Sequence, residues 1–268
     1  MTLWLAALLG IVQGLTEFIP ISSTAHLRVI PALLGRQDPG SAFTAVLQLG
    51  SVAAVITYFA RDLMDVAGAM VRAPATPEGR LPWLLAVGTL PIVIVGIALK
   101  KHIEGDLRAL YVVAGALLIV GVVMWVIDHH VQQRAVHRTL AALTLSDVIF
   151  VGLAQTLALV PGVSRSGATI CMALLIGFAR TDAARLSFLL AIPAVGGAGL
   201  YEARGAFATF GFAQLALGTA TSAIASYASI AWLLRWLGSH QLVGFAAYRI
   251  AGGAALLAAI AAGYLRGV

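Results

Sequence analysis

Six long apolar segments, separated by short polar connections, dominate the pattern of hydrophobic and polar positions along the chain. These segments lie at 42–60, 83–99, 109–127, 186–201, 211–234 and 242–264. A helix of about 20 apolar residues spans the ~30 Å hydrocarbon core of a bilayer, so each segment is predicted to be a transmembrane helix. None of the connections is long enough to form a soluble domain, and the pattern therefore predicts a single membrane domain over 1–268.

Two further apolar stretches, at 3–34 and 145–178, are interrupted near their middles. Proline and serine break the first stretch, and proline, glycine and serine break the second. Irregular backbone at membrane depth is tolerated only where protein or a water-filled cavity satisfies its polar groups. We therefore predict two re-entrant helix-loop-helix hairpins, each entering and leaving on one side of the membrane, whose loops carry polar side chains to the interior.

The two interrupted stretches match each other at a spacing of 142 residues, which indicates an internal repeat. The pairs at that spacing are Gly10 with Gly152, Gln13 with Gln155, Leu15 with Leu157, Ser22 with Ser164, and Thr24 with Ser166. Weaker matches join Gly88-Thr89 to Gly218-Thr219, and Phe43 to Phe188. Each half, 1–130 and 145–268, would hold one hairpin and three spans, with 128–144 as the connecting loop. An odd number of crossings inverts the second half, an arrangement typical of transporters that places the functional site at the repeat interface.

The composition supports an integral membrane protein, since 60% of the residues are hydrophobic, 10% are charged and the mean hydropathy is +0.96. The formal net charge of +6 comes from basic residues scattered singly through short connections, which favours anionic lipid headgroups over nucleic acid as the partner. These basic residues divide almost evenly between the two predicted sides, and we expect the termini to lie outside the cytoplasm. Glycines within the spans favour close helix contacts and allow a homodimer.

The first hairpin carries a polar motif, QGLTEFIPISSTAH, between Gln13 and His26. Gln13 and Glu17 are four residues apart and share one face of a helix. The hydroxyls at 22–24 are natural N-caps for the next helix, whose backbone amides and positive dipole end would create an anion site. An intramembrane carboxylate such as Glu17 is costly and is a functional candidate. In the alternative interpretation, the hydroxyls only cap the helix and His26 donates to a backbone carbonyl.

The second hairpin carries the motif QTLALVPGVSRSGAT at 155–169. Ser164 and Ser166 are alternative N-caps, and Arg165 lies between them. A guanidinium group is planar and permanently charged, and it matches phosphate oxygens in a bidentate manner. We expect the two loops to meet and to form one phosphate site, with Arg165 near Glu17. A second interpretation keeps that proximity but makes Arg165 only the structural counter-ion of Glu17.

Other polar residues within apolar segments carry weaker signals. Arg249 is predicted to extend from a helix end to the membrane interface or to contact a headgroup, and Gln48 and Gln155 are predicted to form hydrogen bonds between helices. Three histidines near the central connection have no nearby carboxylate or cysteine partners and are predicted to be solvated rather than zinc-bound: His129, His130 and His137.

The two motifs, in this order and about 140 residues apart, resemble those of the undecaprenyl pyrophosphate phosphatase family of bacterial membrane enzymes. The first family motif, (E/Q)xxxE followed by PxSSTxH, is matched by Gln13-xxx-Glu17 and by Pro20-Ile-Ser22-Ser23-Thr24-Ala-His26. The second, PGxSRSxxT, is matched by Pro161-Gly162-Val-Ser164-Arg165-Ser166-Gly167-Ala-Thr169. The apolar pattern resembles the family over essentially the whole chain, and the joint match is highly specific.

The resemblance implies a hydrolase of a diphosphate bond, which removes the terminal phosphate from undecaprenyl pyrophosphate and returns the monophosphate carrier lipid to cell-wall polymer synthesis. It also implies a location in the bacterial inner membrane, a site open to the periplasm, and resistance to bacitracin on overproduction. A divalent cation such as Mg²⁺ or Ca²⁺ is implied as cofactor, with Glu17 as a candidate ligand. Gln13 takes the glutamine option of the first motif, which leaves one carboxylate fewer for a metal.

The residues of both motifs fit this chemistry. The expected catalytic residues are Glu17, Ser23, His26 and Arg165, and the expected phosphate-binding residues are Gln13, Ser22, Thr24, Ser164, Ser166 and Thr169. Ser23 would attack the terminal phosphorus, Glu17 or His26 would remove its proton, and Arg165 would stabilise the transferring phosphoryl group. The sequence leaves open whether Ser23 or His26 is the nucleophile. It also leaves open a second function, an inverted-repeat transporter or flippase of a phosphorylated lipid or anion.

Overall fold

The protein is built from α-helices, and no β-strand is present in the residues that the computed structural model describes, 1–104, 106–131 and 137–265. The helices are α1 Leu3–Glu17, α2 Ser23–Leu33, α3 Gly40–Tyr58, α4 Ala60–Arg72, α5 Pro77–Ala98, α6 Lys100–Glu104, α7 Leu110–Val131, α8 Leu145–Thr156, α9 Arg165–Leu175, α10 Arg180–Thr209, α11 Phe212–Leu237 and α12 Val243–Ala261. Short 3-10 helices lie at Asp106–Arg108, Leu140–Ala142 and Leu157–Leu159. The predicted all-α class is confirmed. The predicted central connection, 128–144, begins inside α7, and its residues 132–136 lie outside the described ranges.

Six helices are long and apolar enough to cross a membrane, namely α3, α5, α7, α10, α11 and α12. They confirm the six predicted spans, with differences at the ends. The largest difference is at α10, which runs over Arg180–Thr209 rather than 186–201. Hydropathy marks only the apolar middle of this helix, because both of its ends carry charged residues. The polar connection after the first span also contains α4, an amphipathic helix with no buried residue, which suits the surface of a membrane.

The first interrupted stretch forms a helix pair, α1 and α2, whose two ends lie near the turn between α10 and α11. At the start of α1, the carbonyl oxygen of Met1 accepts a hydrogen bond from the side chain of Gln214. Beyond the end of α2, Phe43 packs against Phe210 with 4.9 Å between ring centroids. The break between α1 and α2 therefore lies at the opposite end of the pair, inside the helix bundle.

The second interrupted stretch forms α8 and α9, and Arg138 joins the two ends of this pair. Its guanidinium donates to Asp147, near the start of α8, at 2.9 Å. Its backbone amide donates to the carbonyl oxygen of Gly177, just after α9, at 2.8 Å. The amide of Leu140 donates to Asp182 near the start of α10, whereas Phe43 contacts Phe210 just after the end of α10, so the open ends of the two helix pairs lie toward opposite ends of that helix.

Helices α3 and α10 form the interior of the bundle. In their most apolar 18-residue segments, 56% and 61% of the residues are buried, against 22% in α5 and in α12. The outward sides of α5 and α12 carry exposed apolar side chains such as Ile94, Ile97 and Leu257. Such surfaces are expected where a helix contacts lipid rather than water. The interior helices are therefore the ones that can provide walls for a polar site.

Glycines allow four helices to pack in two equivalent pairs. A Cβ added to Gly10 in α1 would lie 2.2 Å from the carbonyl oxygen of Gly218 in α11. A Cβ added to Gly152 in α8 would lie 2.3 Å from the carbonyl oxygen of Gly88 in α5. Only glycine permits backbones to approach so closely. The sequence matched Gly10 with Gly152 and Gly88 with Gly218, so the two contacts join positions that the predicted repeat makes equivalent.

Candidate active site

The two breaks, at 18–22 and 157–164, differ in length but each ends in a serine of the same conformation. Ser22 and Ser164 have φ values of 75° and 74°, a left-handed region that residues with side chains rarely adopt. Such a conformation costs on the order of 1–3 kcal/mol per residue and persists where the surroundings impose it. Each hydroxyl then caps the helix that follows, since Ser22 accepts from the amide of Ala25 and Ser164 from the amide of Gly167. The amino ends of α2 and α9 consequently point into the space between the loops.

A cavity of about 150 Å³ lies at this meeting point of the two loops. Its lining combines polar residues of both motifs with residues of α3, α5 and α10: Glu17, Ser23, Thr24, Gln48, Ile92, Ala158, Ser164, Arg165, Ala194, Val195 and Ala198. Two helix amino ends facing one small cavity make it suited to an anion.

Glu17 is the centre of the hydrogen-bond network in the cavity. Its Oε2 accepts from the Ser23 hydroxyl at 2.7 Å and from the Gln13 amide at 2.8 Å. Its Oε1 accepts from Arg165 Nη2 at 3.0 Å. The carboxylate therefore joins the two motifs, as both interpretations of the sequence required, and it contacts the hydroxyl of Ser23, one of the two candidate nucleophiles.

Arg165 is held in place by more than its ion pair. Its side chain is 8% exposed and that of Glu17 is 4% exposed, and Nη1 donates to the backbone carbonyl of Ser187 in α10 at 2.7 Å. Its Nε has no hydrogen-bond partner in the described part of the chain. A buried pair of this kind owes its geometry to such additional hydrogen bonds. Arg165 also lines the cavity, so its guanidinium is placed to meet an anion that enters it.

His26 points away from the nucleophile and its carboxylate. Its Nδ1 lies 2.7 Å from the backbone oxygen of Ser22, and its Nε2 lies 2.7 Å from the hydroxyl of Tyr248 in α12. The two rings are also stacked, with 5.7 Å between centroids. Because a carbonyl oxygen can only accept, Nδ1 carries a proton. The structure therefore brings Glu17, rather than His26, to the Ser23 hydroxyl.

The residues predicted to bind phosphate fall into two groups. Thr24 and Ser164 line the cavity. Ser166 and Thr169 are fully buried behind it: the Ser166 hydroxyl donates to the backbone oxygen of Glu17 at 3.1 Å, and the Thr169 hydroxyl donates to the backbone oxygen of Arg165 at 2.8 Å. Ser22 caps α2, and Gln13 is fully buried beside Glu17. Gln13, Ser166 and Thr169 therefore contact Glu17 or Arg165 directly, whereas Ser22 contacts the first turn of α2.

Residues 6–255 match the family described as bacitracin resistance protein BacA. The chain belongs to this family. Its relatives include an undecaprenyl-diphosphatase of Chlorobium phaeobacteroides (strain BS1), 45% identical over 282 residues that cover 99% of this chain and 100% of that protein. Undecaprenyl-diphosphatases of Gloeobacter violaceus and Myxococcus xanthus are 47% identical over 272 residues and 46% identical over 275 residues, covering 97% and 99% of this chain and 92% and 91% of those proteins.

Two polar residues from outside both sequence motifs lie at or beside the candidate site. Gln48, predicted to bond between helices, lines the cavity from α3. Arg249, predicted to reach the membrane interface, is instead fully buried and donates to backbone oxygens of both loops. The prediction for Arg249 was wrong because an apolar helix gives no sequence signal of which side faces lipid. Its charge within an apolar span was the available signal.

The oxygen atoms around Glu17 can supply only some of the ligands that a divalent cation needs. No group of three or more metal-ligating His, Cys, Asp or Glu side chains occurs in the described ranges. A carboxylate offers about four lone-pair positions, and hydrogen bonds from Gln13, Ser23 and Arg165 use three of them. A cation held by one carboxylate and by phosphate oxygens is a common Mg²⁺ arrangement. The donor set therefore fits an ion that arrives with a phosphate, and not a cage made by protein alone.

Proposed function

We propose that this chain is an undecaprenyl pyrophosphate phosphatase, which hydrolyses the terminal phosphate from the lipid pyrophosphate and leaves undecaprenyl phosphate. The observation that carries the proposal is the contact of Ser23, Glu17 and Arg165 in one cavity at two helix amino ends. A nucleophile, a base and a cationic phosphate site are the three parts that phosphoryl transfer needs. The names of the relatives in the BacA family support the same activity and substrate.

In the first chemical step, the Ser23 oxygen attacks the terminal phosphorus while its proton passes to Oε2 of Glu17 over the existing 2.7 Å hydrogen bond. A serine oxygen–phosphorus bond forms, and the bond from that phosphorus to the bridging oxygen breaks. The bridging oxygen keeps the electron pair and leaves as part of undecaprenyl phosphate. Arg165 and the amino ends of α2 and α9 stabilise the negative charge on the transferring group.

In the second step, water hydrolyses the phosphoserine. Glu17 returns the proton that it received to the lipid phosphate or to solvent, and it then accepts a proton from the attacking water. The new oxygen–phosphorus bond forms as the bond to Ser23 breaks, and the serine oxygen regains a proton. The products are inorganic phosphate and the original hydroxyl, so the catalytic residues return to their starting state.

The cavity is suited to the headgroup rather than to the lipid chain. Its volume is about 150 Å³. A phosphate group fits in such a volume, whereas a long polyprenyl chain does not. We propose that the chain stays in the bilayer against the exposed apolar sides of the outer helices while the pyrophosphate enters between the loops.

A divalent cation such as Mg²⁺ or Ca²⁺ is part of the proposal. Glu17 would hold it, and phosphate oxygens would supply further ligands. When bound, it would offset negative charge on the pyrophosphate. Gln13 keeps the Glu17 carboxylate oriented through its 2.8 Å hydrogen bond and adds no second carboxylate.

We also propose that the two halves are inverted repeats with re-entrant hairpins in the inner membrane, and that the cavity opens to the periplasm. The equivalent contacts Gly10–Gly218 and Gly152–Gly88 and the equal φ values of Ser22 and Ser164 support the repeat. The open ends of the two helix pairs, toward opposite ends of α10, support the inversion. Cysteine labelling from each side of the membrane, at exposed ends of α3 and α11, tests this orientation.

The decisive experiment measures release of inorganic phosphate from undecaprenyl pyrophosphate by the purified protein in detergent with Mg²⁺ or Ca²⁺. Ser23→Ala and Arg165→Ala should abolish the release, whereas Ser239→Ala, at an exposed serine, should not change it. Since detergent removes any gradient, release requires hydrolysis and not transport. A transporter or flippase, for which the repeat is the supporting observation, would give no release and would move the lipid in sealed vesicles.

A further inference from the structure

Arg249 joins the two loops of the candidate site from outside both motifs. It lies within α12 and its side chain is fully buried. Its Nη2 donates to the backbone oxygens of Gly162 at 2.8 Å and Val163 at 3.0 Å, in the second loop. Its Nη1 donates to the backbone oxygen of Pro20 at 3.2 Å, in the first loop. One guanidinium therefore contacts two chain segments that are more than 140 residues apart in sequence.

The three carbonyl oxygens each need a hydrogen-bond donor. They belong to irregular backbone inside a helix bundle of membrane type, where an unsatisfied polar group costs several kcal/mol. Arginine has five donors in a rigid plane and can serve several acceptors at once. Arg249 thus satisfies carbonyl groups within two residues before Ser22 and Ser164, the two caps that start the helices of the site.

Arg249 lies at the contact of α7 with α12. A Cβ on Gly121 would lie 3.1 Å from the Cβ of Arg249, and a Cβ on Gly253 would lie 3.2 Å from the Cβ of Leu117. Both pairs of equivalent positions, 117 with 249 and 121 with 253, are 132 residues apart. The first half thus has leucine where the second half has arginine, and this one arginine serves both loops.

No carboxylate among the described residues forms an ion pair with Arg249. The ion pairs there involve other arginines and Lys100. A buried positive charge neutralised only by carbonyl dipoles is expensive. The energetic cost of burying the Arg249 charge between the two loops is explained if the function of the site requires the loops to be fixed relative to each other.

We propose that Arg249 is a positioning residue of the phosphatase site, which fixes the loop of Ser23 relative to the loop of Arg165. The proposal rests on the function proposed above. Ser23 and Arg165 come from separate hairpins, and a displacement of about 1 Å between reacting groups can cost about 100-fold in rate. Arg249 acts on the reaction through the loops and does not contact the cavity, since it is not among the residues that line it.

The test compares Arg249→Leu and Arg249→Lys with Arg180→Leu. Leucine is the residue at the equivalent position 117, so the crossing accepts its shape. Arg180 is the matched control, because it also joins helices through a buried partner, Asp128, at 2.7 Å but contacts neither loop. Each protein is purified in detergent and compared by kcat and KM for phosphate release, by thermal unfolding, and by hydrogen exchange of peptides covering 18–23 and 160–165.

We expect Arg249→Leu to lower kcat of the folded protein by about 100-fold with little change in KM, and to speed exchange in both loops together. Lysine keeps the charge but has a single amine, so Arg249→Lys should recover part of kcat, and it also covers the case that the leucine variant does not fold. Arg180→Leu should lose thermal stability and keep kcat within about threefold of wild type. A merely structural Arg249 would behave like Arg180.

Three results would overturn the proposal: wild-type kcat in folded Arg249→Leu, exchange that rises in only one loop or in neither, or no difference between the lysine and leucine variants. If the wild-type protein released no phosphate, the proposed function would fail instead. The exchange comparison would then still decide whether Arg249 holds the two loops together, so the two failures are distinguishable.

Discussion

The hydroxyl of Ser23 donates a 2.7 Å hydrogen bond to Oε2 of Glu17, while Oε1 of the same carboxylate accepts from Arg165. The two carboxylate oxygens of Glu17 thus have different partners. In the proposed mechanism, one oxygen contacts the Ser23 hydroxyl that is deprotonated, and the other orients the Arg165 guanidinium that binds the phosphate. The carboxylate of the first motif is therefore the element on which both motifs depend.

Replacing Glu17 by glutamine should separate proton transfer from hydrogen bonding. The amide can still bond to Ser23 but is a far weaker base, so we expect kcat to fall by about 10²–10⁴-fold. Phosphate release is measured per folded protein, because Arg165 loses a buried partner. Glu202→Gln is the control, since its carboxylate pairs with Lys100 at 2.9 Å away from the cavity lining. A Glu17→Gln enzyme within about tenfold of wild type would rule out the base assignment.

A phosphorylated intermediate should form on Ser23. Acid quenching during turnover, followed by mass spectrometry of peptides, should locate phosphate on the serine as an acid-stable ester. Ser23→Ala should give neither the ester nor phosphate release, because no other hydroxyl is bonded to Glu17 Oε2 among the described residues. An acid-labile adduct on His26 would contradict the serine assignment directly.

His26 should act through the backbone of the first loop. We expect His26→Ala to slow phosphate release because the Ser22 carbonyl loses its 2.7 Å partner. In His26→Asn, the amide can donate to that carbonyl in place of Nδ1–H, and it should recover about 1 kcal/mol, or about fivefold in rate. Equal inactivity of the two variants would show that the imidazole itself transfers protons. Tyr248→Phe, which removes only the partner of Nε2, serves as the control.

Divalent cations should bind weakly to the protein alone and more tightly when phosphate is present. Calorimetric titration with Ca²⁺, with and without inorganic phosphate, measures this difference. Gln13→Glu adds a carboxylate one helical turn before Glu17 and should strengthen binding in the absence of phosphate by about tenfold. Chelation should stop phosphate release in both proteins. Tight Ca²⁺ binding by the wild type without phosphate would contradict a site completed by substrate.

The ion pair of Arg138 and Asp147, at the open end of the α8–α9 pair, should make the thermal stability of the protein depend on pH. Burial alone would raise the pKa of Asp147, but hydrogen bonds from Arg138 and Thr144 hold this pKa below its ordinary value of 3.8. A lowered pKa in the folded state contributes stability above the ordinary value, and this stability is lost as pH falls through the folded value. The difference in melting temperature between wild type and Asp147→Asn should therefore be largest near neutral pH and should shrink below about pH 4. A difference in melting temperature that does not change with pH would contradict this prediction.

The sequence was sufficient for the six spans and for the proximity of Glu17 and Arg165. Long apolar runs have few alternatives in lipid, and an intramembrane carboxylate and arginine in repeat-related loops have strong physical reasons to meet. The end of a helix is less constrained, because a helix continues through charged residues once it leaves hydrocarbon. This explains why α10 extends over Arg180–Thr209 beyond its apolar middle.

Side-chain direction at the site could not be predicted in the same way. His26 is three residues from Ser23, and only the position of Tyr248 on a distant helix reveals that the imidazole points away from the cavity. Ser166 and Thr169 have the residue types of phosphate ligands but turn toward the backbone of Glu17 and Arg165. Such choices depend on tertiary neighbours, and the spacing along the chain contains no signal of them.

The small volume of the cavity separates recognition of the headgroup from recognition of the lipid chain. A space of about 150 Å³ is far smaller than a long polyprenyl chain, so the chain remains outside it. Discrimination between lipids of different chain length therefore depends on the outer helices and not on the residues of the two motifs.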